Sequence, residues 1–125
     1  MFLRKRLRSF CLYLTAIWLF FPVLLSSQSS EVEQLKIELT ATETDTARLR
    51  LLLDLAALFQ QQMPVDIIRY SEEALALAGD LGDRGAQMEA YYSLAVGCYF
   101  NGKGEEALSN SLQSLAIAEE IESGT

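Results

Sequence analysis

Apolar residues in the second half of the chain recur at helical spacing. Leu52, Leu55, Ala56 and Phe59 stand at i, i+3, i+4 and i+7, and Tyr91, Leu94, Ala95 and Cys98 repeat that spacing. Each set therefore lies along one face of a helix. A second stripe runs through Ile67, Ile68, Ser71, Ala74, Leu75 and Ala78, and returns at Ala107, Leu108, Ser111, Ser114, Leu115 and Ala118. Breaking residues separate the stripes: Gln62-Met63-Pro64, then Gly79, Gly82 and Gly85, then Gly102 and Gly104. Such clusters mark turns. No useful length alternates with the period of two that a strand requires. The pattern predicts an all-α protein.

The stripes are also copies of one another. At a shift of forty, Ser71, Leu75, Ala76 and Ala78 overlie the identical Ser111, Leu115, Ala116 and Ala118, while Leu77/Ile117, Ile68/Leu108 and Leu81/Ile121 keep apolar character. The earlier stripes align at thirty-nine, so the one-residue slip falls in the turn between two helices, where insertions are tolerated. Small residues (Ala56 and Ala95 in the first helix of each unit, Ala74 and Ser114 in the second) let helices approach to about 8–10 Å. A single helix pair cannot bury both of its apolar faces, so the units are expected to stack. At the far end Gly124-Thr125 overlies Arg84-Gly85, where a further unit would begin. The helix ending near Ile121 is thus expected to lack a covering helix. Two expectations follow: the chain is the front of a longer protein, or it self-associates through that uncapped helix.

The beginning has a different character. Arg4, Lys5, Arg6 and Arg8 form a basic start, Phe10 to Leu25 is an apolar run, and Ser26, Ser27, Gln28, Ser29 and Ser30 are small or polar. This order is that of a secretory signal peptide over residues 1–27, cleaved or retained as a signal anchor. The apolar run falls short of the roughly 20 residues that span a bilayer, and Pro22 suits a break before cleavage. Either outcome places the rest outside the cytoplasm, in the periplasm or anchored facing it. A membrane contact is expected only if the segment is retained. Residues 28–45 read as a short helix, opened by a capping box at Ser30 and Glu33, followed by a Thr-rich linker with Thr44 or Asp45 capping the next helix.

Charge and composition then narrow the chemistry. From Glu31 onward six basic residues face seventeen acidic ones, a net charge of −11. That balance argues against nucleic acid, which requires clustered Lys and Arg, and against an anionic membrane surface. Histidine is absent, which removes the commonest general base and metal ligand. Cys11 lies in the export segment and Cys98 on a core register, so Cys98 reads as a small buried hydrophobe. The pairs Glu72-Glu73, Glu105-Glu106 and Glu119-Glu120 point to different sides of a helix, which makes them solvated surface and not two-carboxylate sites. No catalytic, cofactor or metal residue is expected, and the chain does not read as an enzyme.

Tyr91-Tyr92-Ser93-Leu94-Ala95, Cys98-Tyr99, Gly102 and Glu105-Glu106-Ala107-Leu108 resemble the tetratricopeptide signature. Leu52-Leu53-Asp54-Leu55-Ala56, Phe59, Pro64 and Ala74-Leu75 match it less completely. The departures are Cys98 at the second aromatic, Ile67 at the opening alanine, and Ser71 and Ser111 at the aromatic of the second helix. The resemblance implies an α-solenoid of antiparallel helix hairpins, with one unit at 46–82, a second at 83–125, and the short N-terminal helix before them. It also implies a protein-interaction scaffold that holds a partner's peptide or helix in a concave groove. Carried over position by position, the groove is Arg50, Leu53, Ala57 and Gln60 from the first unit, with Glu89, Tyr92, Val96 and Tyr99 from the second. The alternative expectation is the sensory front of a membrane histidine kinase or transcriptional regulator. The combination of export segment, Thr-rich entry and longer-spaced repeats is similar to the extracytoplasmic part of such bacterial proteins.

Overall fold

The structure, a computed structural model, describes the backbone of residues 2–59 and 64–124, and side chains at 4–17, 30–59 and 65–124. The elements are all α-helices: α1 (Phe2–Ala41), α2 (Asp45–Phe59), α3 (Pro64–Leu81), α4 (Arg84–Phe100) and α5 (Gly104–Ser123). The chain divides into two compact units, Met1–Gln34 and Leu35–Thr125.

In the first unit Phe10, Leu12, Tyr13 and Ile17 are exposed along α1. Thr15 turns its hydroxyl back to the carbonyls of Cys11 and Leu12, at 3.0 Å each, which satisfies it within its own helix. Here the structure departs from the sequence expectation. Helical backbone runs on from Phe2 to Ala41, past Pro22 and past Ser30, so no short helix starts at a capping box there. The cause is compositional: no glycine occurs before Gly79, and the Leu, Gln and Glu residues around the serines are good helix formers. Among the described residues no helix is long and apolar enough to cross a membrane. The side chains of Trp18, Phe20 and Phe21 lie outside the described residues.

The Thr-rich stretch does end α1. Thr40 and Thr42 donate to the carbonyls of Ile37 (2.7 Å) and Glu38 (2.6 Å), and α2 begins at Asp45, with the Arg48 amide donating to the Thr44 carbonyl at 3.0 Å. The Gln62-Met63 separator lies outside the described residues; α3 opens on Pro64, whose missing N–H costs nothing at a first helical position. Two turns are built alike. Gly82 and Gly102 take φ of 65° and 74°, which a side chain would oppose. The next amides, Asp83 and Lys103, reach back to the carbonyls of Ala78 (3.0 Å) and Cys98 (2.9 Å), closing off α3 and α4. Asp83 then caps α4, its carboxylate accepting from the Ala86 amide at 2.9 Å.

These tight turns fold consecutive helices back on each other. α2 packs on α3, α3 on α4 and α4 on α5, while α2 also meets α4. Arg48 at the start of α2 pairs with Glu73 in the middle of α3, and Phe59 at the end of α2 stacks on Tyr70 near the start of α3, with ring centroids 5.7 Å apart. Lys36 lies over the Phe59 ring at 5.7 Å. Arg84 at the start of α4 pairs with Glu120 near the end of α5. Both hairpins are therefore antiparallel, and the starts of α2 and α4 lie side by side.

The core follows the stripes. Leu52, Leu55, Ala56 and Phe59 of α2 are buried, as are Leu94, Ala95 and Cys98 of α4. In α3 the buried positions are Ile67, Tyr70, Ser71, Ala74 and Ala78. Full burial of one such Leu or Ile contributes roughly 1.5–3 kcal/mol. α3 and α4 come close at Gly97, where a β-carbon would stand 2.9 Å from Cγ1 of Ile68 and 3.2 Å from Cγ2 of Ile67. Only a hydrogen fits between α3 and α4 at that point.

Candidate partner-binding groove

The eight residues assigned to a groove from the sequence come from the first helix of each hairpin, and the structure places six of them in two separate surface depressions. The first, of about 670 Å³, lies between the starts of α2 and α4. Arg50, Leu53 and Glu89 line it together with Leu49 and Asp83. Leu53 is only 4% exposed and forms floor rather than rim. Arg50 reaches Asp54 at 3.7 Å along its own helix. The Asp83 carboxylate is engaged in capping α4, so it holds backbone rather than offering itself to a ligand.

The second depression, of about 400 Å³, lies between α4 and α5. It gathers Tyr92, Val96 and Tyr99, and adds Phe100 and Leu108, over Ala95 and Ala107. Tyr92 and Tyr99 are 57% and 71% exposed. The Tyr99 and Phe100 rings meet edge to face at 5.6 Å. Ala57 is exposed but lines neither depression. Gln60 lies outside the described residues.

Sequence reasoning missed Phe100 and Leu108 as lining residues, and Tyr70 as core. Leu108 had a signal, since it sits on the repeated stripe of α5. Tyr70 follows Ile67 by one helical turn, which places it on the same buried face. Phe100 had none: it ends α4 just before a turn, and its position depends on how α5 folds back.

The two depressions differ in chemistry. One presents mixed charge around an apolar floor; the other presents phenol rings and aliphatic groups. Among the described residues no group of three His, Cys, Asp or Glu side chains stands close enough to hold a metal. Burial, with Glu106 adding to it, pushes the Cys98 thiol up from its ordinary value. Its sulfur lies 3.9 Å from both the Glu106 carboxylate and the Asn110 amide. A buried neutral thiol of this kind packs and does not react. No protein-family model, curated protein or solved structure matches the chain.

Proposed function

We propose that the chain is an exported scaffold of the tetratricopeptide kind, which holds a peptide or helix of a protein partner against the first helices of its hairpins. The observation that carries this reading is the surface of α4. Its inward positions Leu94, Ala95 and Cys98 are buried, while Tyr92 and Tyr99 stand out beside them with Phe100. Exposed aromatics over a rigid helical base are the residue type that anchors partners, because a large apolar area is gained with few torsions lost. Antiparallel hairpins whose first helices lie side by side, with small residues between them, support the solenoid part of the reading. The basic start and apolar run support export.

The test is partner capture by the full chain in its exporting cell. Tyr92→Ala with Tyr99→Ala is expected to abolish capture at unchanged helicity, since neither ring is buried. Capture that survives the double change refutes the groove.

A further inference from the structure

The depression between the starts of α2 and α4 holds a charge that the fold leaves unanswered. Its floor is Leu49, Leu53 and Ala86, all buried. Both of its walls are held from behind, since α2 packs on α3 and α4 packs on α3 and α5. Three charged side chains stand around the floor: Arg50, Asp83 and Glu89. Two of them are engaged. Asp83 accepts from the Ala86 amide at 2.9 Å, and Arg50 lies 3.7 Å from Asp54. Glu89 is exposed, and among the described residues its carboxylate makes no ion pair and no hydrogen bond.

The surroundings give that carboxylate a cationic preference. Glu89 is the counterpart of Arg50 at the shift of thirty-nine, and the two line one depression without pairing with each other. Glu43 and Asp45 flank Thr44 on the rim. The unit Leu35–Thr125 carries six basic and fifteen acidic residues, a net charge of −9. Its field draws cations and repels anions on approach. The volume, about 670 Å³, is of the size that accepts a few side chains. We infer that this depression takes a short peptide segment of a protein partner in which a Lys or Arg stands beside aliphatic side chains. The cationic group pairs with Glu89, and the aliphatic groups settle on Leu49, Leu53 and Ala86. An acidic segment meets Glu89 and the field of the unit as like charges, which is penalised. The inference rests on the partner-binding reading and names the peptide's chemistry at one of its two depressions.

The experiment uses the full chain in a non-ionic detergent and three labelled peptides with blocked ends. The first is Gly-Ala-Leu-Lys-Leu-Ala-Gly, the second has Glu in place of Lys, and the third has Ser in place of both Leu. Fluorescence anisotropy is expected to show saturable binding of the first, and at least about tenfold weaker binding of the other two. Glu89→Lys reverses the preference, so that the Glu peptide binds better than the Lys peptide. Glu89→Gln weakens the Lys peptide by no more than about fivefold, the effect of an exposed ion pair. Glu89 is exposed, so both variants fold, which circular dichroism checks. Absence of saturable binding overturns the proposal. So does an equal loss from Glu72→Lys, which makes the same change of charge on α3, away from the depression. A dimer in sedimentation that Glu89→Lys disperses makes a second copy the occupant and also overturns it. Binding that survives Glu89→Lys but is lost in the Tyr92/Tyr99 double variant removes the Glu89 seat and leaves the partner-binding reading standing. Binding that needs Glu89 and survives the double variant upholds this seat and removes the aromatic one.

Discussion

α3 and α5 are the second helices of the two hairpins, written on one pattern and covered to different extents. Ile67, Ser71, Ala74 and Ala78 of α3 are buried, with Ile68 and Leu75 half-buried. Of their counterparts, Leu108 and Leu115 are 62% and 55% exposed and Ser111 is exposed too. α3 lies between α2 and α4, whereas among the described residues α5 packs on α4 alone. Ala107, the counterpart of Ile67, stays buried, so the shared pattern is core throughout in one place and partly surface in the other. Hydrophobic periodicity tells which side of a helix seeks cover, and the neighbours decide whether it is found. Even the serines differ: Ser111 donates to the Ala107 carbonyl at 2.8 Å, while the fully buried Ser71 hydroxyl has no partner among the described residues.

The comparison breaks first at the isoleucine. Ile67→Ala empties a fully buried site and is expected to cost about 3 kcal/mol in urea unfolding. Leu115→Ala, on the equivalent stripe, is expected to change stability by less than about 0.5 kcal/mol. Similar costs at the two positions would mean that α5 is covered as α3 is. The contact covering α3 is tested at Gly97. Gly97→Leu gains helix propensity but drives atoms into Ile67 and Ile68, and the net loss is expected to be about 2 kcal/mol. A neutral result would place α4 farther from α3 than the structure does. The smallest effect is at the serines. Ser71→Ala removes a buried unsatisfied hydroxyl and is expected to stabilise by up to about 1 kcal/mol, while Ser111→Ala leaves stability unchanged.

All-helical character was legible in the sequence because the 3.6-residue spacing and the glycine turns are local. The buried stripes of α2, α3 and α4 were legible for the same reason. The continuity of α1 was not. Ser30 and Glu33 have the spacing of a capping box, but a helix already running from Phe2 passes through them, and a cap forms only where a helix begins. The division of the groove was equally hidden. Leu53 and Tyr92 hold the same place in their hairpins, yet α4 lies along α2 and encloses Leu53. Tyr92 lines the depression between α4 and α5 and stays exposed.

Amide hydrogen exchange tests most directly the claim that one stripe is covered and its copy open. The account predicts that amides of Ile67, Tyr70, Ser71 and Ala74 exchange only through global unfolding, and that those of Leu108 to Leu115 exchange at least about tenfold faster through local opening of α5. Equal protection in the two helices, or slower exchange in α5, would contradict it.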